Sequence, residues 1–293
     1  MNGVIIINKP KGYTSHDIVN KIRKVLNIKK VGHTGTLDPN ATGVLPILIG
    51  NATKVSKYLI EHNKTYIATI KLGERTNTLD SEGEIIESIE VDNTCMEIEN
   101  IKRVLKTFLG KQEQLPPMYS AVKINGKKLY DYAKSGEEVE RKPRELEIYY
   151  IDLISINKQK QELEFEVNCS KGTYIRVLCE DICKKLQTIG YMKELVRTSV
   201  DSDKSGDLQF SIERSIKLEE LEKENIQKNL INIEQIFINK EKIDLNNTKL
   251  ELFLNGVQLT FGLNNEIYRV YNNNKFIGIG IIKDKLLKRD III

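Results

Sequence analysis

The spacing of apolar residues along the chain predicts both helices and strands. Apolar residues recur with the 3.6-residue period of an amphipathic helix in three stretches. These stretches predict helices from a cap at Thr14 or Ser15 to about residue 26, over 96–109 before Gly110, and over about 174–186. Alternating positions or short apolar runs predict strands at 4–7, 65–72, 145–156 and 162–167. Because these elements do not follow a regular strand-helix-strand rhythm, the pattern indicates an α+β fold.

The second half of the chain contains further turn and strand signals. Asn125 and Gly126 are typical of a tight hairpin turn between arms at 121–124 and 127–130. The segment 201–240 is mostly polar and is predicted to be largely helical. Three strands are predicted at 267–271, 276–282 and 286–292, and they indicate a small β-rich region after a boundary near residue 240.

Charge is distributed unevenly along the 293 residues, although the net charge is only +4. Residues 1–30 hold seven lysines and arginines and one aspartate, whereas residues 80–100 hold eight carboxylates and no basic residue. Such segregation predicts a surface with one basic and one acidic part. The basic part of the surface favours binding of a polyanionic partner.

Several function classes are disfavoured by what the sequence lacks. No apolar stretch approaches the roughly 18 residues of a membrane span, and the first residues do not resemble a signal peptide, so we expect a cytoplasmic protein. We expect four reduced cysteines and, with only three histidines, no structural zinc site. Neither a GxxxxGK[ST] phosphate loop nor a dinucleotide fingerprint occurs, which is consistent with a reaction that runs without a metal or a cofactor.

Residues 32–43 are the most informative segment for chemistry. The string GHTGTLDPNATG holds three glycines and a proline without periodicity, which predicts a loop. Asp38 lies in this loop directly before Pro39, and locally that pair is typical of a turn former or a helix cap. A glycine-rich loop can also direct a carboxylate into a cleft, so a catalytic Asp38 is the alternative.

The extended string GHTGTLDPNATGVLPI resembles the catalytic motif of the TruB family of tRNA pseudouridine-55 synthases. Further segments resemble this family in the same order along residues 3–200: KPKGYTSHD, KTYIATIKLGERTNTLD, LPPMYSAVKINGKKLYDYAKSGEEVERKPR, CSKGTYIRVLCEDI and ELVRTS. The resemblance implies a pseudouridine synthase-like catalytic domain over 1–240, with a mixed, largely antiparallel sheet and an RNA-binding insertion at about 120–145. It also implies a small β-rich PUA-like RNA-binding domain over 241–293.

The resemblance assigns catalytic roles to three residues. Asp38 would be the essential carboxylate, and Arg176 would pair with it through two parallel hydrogen bonds. Tyr66 would stack on the target base and move a proton. From the local sequence alone, Arg176 could equally be a surface arginine at a helix start, and Tyr66 an ordinary strand aromatic.

Four more residues match pocket positions of the family. Tyr174 and Leu195 would contact the nucleotide, although both could be plain core residues. His33 would enter the space that an extruded uridine leaves. In the alternative interpretation, His33 is a loop histidine that forms a backbone hydrogen bond. Asp80 would lie behind the catalytic residues without touching the substrate.

The resemblance also implies the T arm of tRNA as the partner of a monomeric enzyme. Five basic residues around the insertion would contact phosphates: Lys127, Lys128, Arg141, Lys142 and Arg144. In the alternative interpretation, they form only a solvated surface. Two other functions stay open at this point. One is an RNA-guided pseudouridine synthase, and the other is an RNA-binding protein that assists tRNA folding.

Overall fold

The computed structural model describes residues 1–120, 122–201 and 209–293. The described residues form nineteen strands, β1 to β19 in chain order: Gly3–Lys9, Val31–His33, Thr42–Ile49, Lys64–Leu72, Glu74–Thr76, Ile85–Ser88, Gly110–Gln114, Lys123–Ile124, Lys127–Lys128, Arg144–Asn157, Glu162–Cys169, Gly190–Asp201, Gln209–Ser211, Ile216–Lys217, Lys242–Asp244, Leu259–Thr260, Ile267–Asn272, Lys275–Lys283 and Leu286–Ile292. Eight α-helices, α1 to α8, accompany them in this part of the chain: Ser15–Leu26, Ser56–Leu59, Ile98–Lys106, Leu129–Lys134, Ile175–Lys185, Lys223–Lys228, Ile233–Ile236 and Asn247–Leu254.

Ten strands form one large sheet that organises the molecule. Its central order is β14-β1-β3-β12-β4-β11-β10-β7, while β2 pairs with β3 and β13 pairs with β12. The β1–β14 and β12–β3 pairs are parallel, and the other described pairs of this sheet are antiparallel. The mixed, largely antiparallel sheet and the α+β class are therefore confirmed.

Both faces of the large sheet are covered, which explains the unbroken apolar run at the start of the chain. Ile5 and Ile7 pack on one side in a core that they share with α1, α3 and α5. Val4 and Ile6 point to the opposite side, because successive strand residues alternate between faces. A strand buried on both faces shows a continuous apolar run instead of an alternation.

A second sheet of five strands, ordered β15-β17-β18-β19-β16, lies at the end of the chain. The three strands predicted there are confirmed, and two short edge strands and α8 add to them. Ile279 and Ile291 of this sheet share an apolar core with Val4 and Ile6. The small β-rich C-terminal region is thus confirmed, while the boundary near residue 240 stays a prediction.

Two predicted elements differ in extent from the structure. The helix predicted at 96–109 covers only Ile98–Lys106, because a 3₁₀ turn at Asn93–Met96 precedes it and Thr107–Leu109 form a turn. The hairpin turn at Asn125 and Gly126 is present, with φ angles of 50° and 81°, but its second arm ends at Lys128, where α4 follows. Position 121 of the first arm lies outside the described residues.

The mostly helical segment predicted at 201–240 is wrong for the described residues. Strands β13 and β14 and two short helices, α6 and α7, occupy this stretch, and 202–208 lie outside the described residues. Its buried residues, such as Leu221, Ile226 and Phe237, reach the core separately instead of forming one helical stripe. Polar composition and helix propensity do not show that tertiary contacts divide this segment into short elements.

None of the helices in the described ranges is long and apolar enough to span a membrane. The four cysteines are free and buried, as expected for reduced thiols.

Candidate active site

The loop between β2 and β3 places Asp38 in the lining of a cavity of about 650 Å³. The carbonyl of Asp38 accepts a hydrogen bond from the N–H of Ala41 over 3.1 Å, which closes a turn with Pro39 at its second position. The turn interpretation of Asp38 is therefore correct for its backbone. Because the turn occupies only the backbone, the carboxylate stays free to face the cavity, and its side chain is 40% exposed.

Two residues near the N-terminus hold this loop in place. Ser15, the first residue of α1, accepts a hydrogen bond from the N–H of Leu37 over 2.9 Å. Lys9, at the end of β1, donates from Nζ to the carbonyls of Pro39 (2.9 Å) and Tyr13 (2.7 Å) and is fully buried. Burial lowers the pKa of Lys9 to about 8. Lys9 thus belongs to the support of the loop and not to the basic surface.

Arg176 lies in the first turn of α5 and reaches under the loop with a side chain that is only 9% exposed. Its Nε is 3.3 Å from a carboxylate oxygen of Asp38, and its Nη1 is 3.1 Å from a carboxylate oxygen of Asp80. The guanidinium also donates to the carbonyls of Thr78 (3.3 Å) and Tyr119 (2.9 Å). A solvated arginine at a helix start is thereby excluded.

The contact between Arg176 and Asp38 differs from the expected pair of parallel hydrogen bonds. One nitrogen faces each carboxylate, because Asp80 occupies the other side of the guanidinium. Asp80 is itself held by the hydroxyl of Thr78 (2.6 Å) and the N–H of Glu82 (3.0 Å). Since Asp80 does not line the cavity, it fixes the arginine from behind.

Tyr66 lies on β4, in the middle of the large sheet, and lines the same cavity as Asp38. Burial raises the pKa of its hydroxyl, and the positive charge of Arg197 opposes that rise. Arg197 is the direct cross-strand neighbour of Tyr66, on β12. The phenol is therefore neutral near pH 7 and lies beside a permanent cation.

Tyr174 and Leu195 are two more predicted residues that the structure places around the cavity. Tyr174 caps α5, and its backbone exchanges two hydrogen bonds with the amide of Gln114, at 2.8 Å and 3.1 Å. Leu195 lies on β12 two residues before Arg197, so both side chains face the same side of the sheet. The wall therefore offers an aromatic ring and an aliphatic surface.

His33 is at the end of β2 and is not among the residues that line the cavity. Its Nδ1 accepts a hydrogen bond from the N–H of Gly35 over 3.3 Å. Burial lowers the pKa of His33, with a further contribution from the charge of Arg197. The ring is thus a neutral loop histidine in this structure, as the alternative interpretation expects.

The five basic residues around the insertion differ in their surroundings. Lys128 lines the cavity, whereas Lys127 lies 3.7 Å from Glu137 and above the ring of Tyr132. Arg141 donates to the carbonyl of Pro116 over 3.0 Å. The other two, Lys142 and Arg144, are exposed. Of the five, only Lys128 is therefore placed to reach a ligand inside the cavity.

Sequence reasoning missed three buried cations beside this cavity: Lys9, Lys64 and Arg197. Lys64 and Arg197 line it, and Lys64 donates from Nζ to the carbonyls of Ile60 (2.9 Å) and His62. Burial lowers the pKa of Lys64 to about 8. The strand period could have indicated Arg197, because it shares the inward face of β12 with Leu195. No cluster of three metal-binding side chains occurs among the described residues.

Comparison with known proteins identifies the family that this chain resembles. The family model described as TruB family pseudouridylate synthase (N terminal domain) matches residues 23–175. A tRNA pseudouridine synthase B from Clostridium kluyveri is 43% identical over 291 residues, which cover 97% of this chain and 96% of the relative. The tRNA pseudouridine synthase B from Clostridium tetani is 46% identical over 286 residues, covering 96% of this chain and 95% of the relative.

A solved structure extends the likeness to the whole architecture. A chain in the crystal structure of a Cbf5-Nop10-Gar1 complex matches with a TM-score of 0.69 at 26% identity. The match covers 99% of this chain and 83% of that chain. The likeness therefore includes the second sheet as well as the large one.

Proposed function

Because the chain belongs to the TruB family of pseudouridylate synthases and is a tRNA pseudouridine synthase, we propose that it converts uridine 55 in the T loop of tRNA to pseudouridine at Asp38. The observation that carries the proposal is the Asp38 carboxylate, which faces the cavity while Arg176 contacts it at 3.3 Å. A guanidinium is a permanent cation that bonds a carboxylate in a fixed direction, so Arg176 orients Asp38 for the reaction.

The proposed reaction needs no oxidant and no added group. The N1–C1′ bond of uridine breaks, the base turns while it is held, and C5 bonds to C1′. C5 then gives up its proton and N1 takes one up, so the product is an isomer of the substrate. Asp38 acts as a nucleophile or stabilises the positive charge that develops when the glycosidic bond breaks. Tyr66, which lines the same cavity, stacks on the base and moves a proton.

The remaining pocket residues hold the extruded nucleotide. A uridine in a folded T loop is stacked, so the enzyme must turn it out of the loop before the chemistry. Tyr174 and Leu195 contact the detached base and keep it in place during its rotation. His33 moves from its bond with Gly35 into the space that the uridine leaves. The neutral form of His33 suits that move, because moving an uncharged ring from water to a position among bases costs less free energy than moving a charged ring.

We infer that the enzyme works alone, as a cytoplasmic monomer without a guide RNA. Two relatives named tRNA pseudouridine synthase B support the inference. Their matches cover 97% of this chain and 94–96% of the relatives. The second sheet is proposed to be a PUA-like RNA-binding domain, and 120–145 an insertion that closes over the T arm.

The proposal is tested by incubating the purified protein with an unmodified tRNA transcript and mapping pseudouridine at every position. We expect one product, at position 55, and none in a transcript that carries cytidine there. A pseudouridine at another position, formed at the same rate in both transcripts, would overturn the assignment of the substrate.

Two substitutions of Tyr66 should separate stacking from proton transfer. Tyr66→Phe keeps the ring and loses the hydroxyl, so the single-turnover rate should fall by about 100-fold while tRNA affinity is kept. Tyr66→Leu also loses the aromatic face and should weaken tRNA binding by a further ~1 kcal/mol, within the range of base stacking. The measurements are tritium release from uridine labelled at C5 and the Kd of the complex. A Phe variant as fast as the wild type would exclude proton transfer by Tyr66.

The basic residues outside the cavity should govern affinity and not chemistry. Replacing Lys127, Lys142 and Arg144 by glutamine should weaken tRNA binding and reduce the slope of log K against log salt by about 0.7 to 0.9 per lost phosphate contact. The single-turnover rate of the saturated complex should stay within about twofold, a difference of ~0.4 kcal/mol.

A matched control changes the same net charge elsewhere. Lys102, Lys106 and Lys158 are exposed and lie away from the cavity lining. Their replacement by glutamine should leave the salt slope close to that of the wild type. Equal slopes for the two triple variants would show that the insertion makes no phosphate contacts.

A further inference from the structure

Arg197 is a buried arginine in the lining of the cavity, and the residue is only 1% exposed. Within the described ranges, no carboxylate lies within ion-pair distance of its guanidinium. Removing a charge from water without an opposite charge is costly, so such an arginine needs compensation from fixed dipoles. The contacts of Arg197 show where that compensation comes from.

The guanidinium of Arg197 bonds to backbone on the Asp38 side of the cavity. Its Nε donates to the carbonyl of Val44 over 2.7 Å, and its Nη2 reaches the carbonyl of Gly35 at 3.4 Å. Val44 belongs to β3, and Gly35 lies three residues before Asp38. Arg197 therefore holds both ends of the loop that presents the carboxylate.

The other side of Arg197 faces Tyr66. The two residues are directly opposite in the antiparallel pair of β12 with β4, so their side chains project from the same face about 5 Å apart at Cβ. A register shift follows at Ser199, and such bulges direct side chains next to active sites. Both residues line the cavity, and the positive charge of the guanidinium opposes the rise that burial causes in the pKa of the Tyr66 hydroxyl.

Close packing of the backbone keeps Arg197 in this position. Arg197 also pairs with Gly43 in the parallel contact of β12 with β3. A Cβ at Gly43 would lie 2.2 Å from the carbonyl oxygen of Arg197, and Gly43 has a φ of +100°. Only glycine permits this approach at such an angle. Strands β3, β12 and β4 thus meet at Arg197.

We propose that Arg197 is a positioning residue that fixes the Tyr66 hydroxyl relative to the Asp38 loop. The proposal rests on the proposed function, because the distance between these groups matters only if both act on one nucleotide. The rigid fork of the guanidinium bonds to the carbonyls of Gly35 and Val44 while the residue lies directly opposite Tyr66. A lysine ammonium at the same place keeps the charge but cannot reproduce the fork that holds both carbonyls.

The first test measures single-turnover rates for Arg197→Lys and Arg197→Met in the wild-type and Tyr66→Phe backgrounds. Misplacement of a reacting group by about 1 Å costs ~100-fold, so we expect a loss of that order for both variants with Tyr66 present. With the hydroxyl already absent, the same changes should cost less than about 10-fold, because only the support of the loop is lost. Equal losses in the two backgrounds would overturn the proposal.

The second test does not depend on activity. In protein labelled with ¹³C at tyrosine Cζ, the Tyr66 signal is identified by its loss in Tyr66→Phe, and its shift reports the hydrogen bonding of the hydroxyl. We expect this signal to move in Arg197→Lys, and an unchanged signal would overturn the proposal. The NMR shift does not depend on whether pseudouridine forms at position 55. A failure of the proposed function would therefore appear in the activity measurement and not in this signal.

Arg269 provides the matched control. It is also a buried arginine on a strand, its Nε donates to the carbonyl of Lys240 over 2.8 Å, and its Nη1 lies 3.4 Å from the hydroxyl of Tyr271. It lies in the second sheet and does not line the cavity. Arg269→Lys should leave the saturated single-turnover rate within about twofold. A loss equal to that of Arg197→Lys would assign the effect to fold stability.

Discussion

Replacing Asp38 by asparagine should abolish pseudouridine formation while tRNA binding persists. Asparagine keeps the shape of the side chain and the turn with Pro39 and Ala41, but it cannot act as a nucleophile or balance a developing positive charge. We expect the single-turnover rate to fall by at least about 1000-fold, or ~4 kcal/mol in activation free energy. Affinity should change by less than about twofold, since one carboxylate is removed and the basic surface is intact.

The Asp38 experiment also separates an enzyme from a folding assistant. If the main activity were the refolding of tRNA, Asp38→Asn would retain it, because binding and opening of the T arm do not require the carboxylate. Asp284→Asn is a suitable control, since Asp284 is exposed on a hairpin of the second sheet at a φ of 54°, which asparagine tolerates. A rate for Asp38→Asn above a few per cent of the wild-type rate would remove Asp38 from the chemistry.

Strands of the fold were predictable where local pattern and tertiary role agree. The alternation at 65–72 and the apolar run at 4–7 coincide with β4 and β1, because their burial follows directly from the side-chain period. The segment 201–240 was not predictable from its charges. Its short elements are set by single apolar anchors, such as Leu218 and Ile233, that pack against distant parts of the sheet.

The candidate site was predictable only in part, for a related reason. Motif resemblance selected Asp38, Tyr66 and Arg176, and the structure brings all three to one cavity. The sequence does not distinguish Lys9 and Arg197 from solvated charges, because it does not show which backbone carbonyls will surround a cation. Their burial depends on strand order, which places β1, β3, β12 and β4 side by side.

Replacing Arg176 by lysine should reduce both turnover and stability. The guanidinium serves the carboxylates of Asp38 and Asp80 and the carbonyls of Thr78 and Tyr119. One ammonium cannot satisfy four acceptors in different directions, so at least one buried acceptor loses its partner, at a cost of ~1–3 kcal/mol in the free energy of unfolding. Because Asp38 then loses its fixed orientation, we expect the single-turnover rate to fall by about 1000-fold.

Stability and catalysis can be separated with Asp80. In Arg176→Met, Asp80 becomes a buried carboxylate without its counter-charge, which should cost ~3–5 kcal/mol in unfolding free energy. Adding Asp80→Asn removes that charge, so urea denaturation should show part of the stability restored. The rate should not recover with it, because Asp38 still lacks its cation. An Arg176→Lys variant with a nearly wild-type rate would show that catalysis does not use the 3.3 Å contact between Arg176 and Asp38.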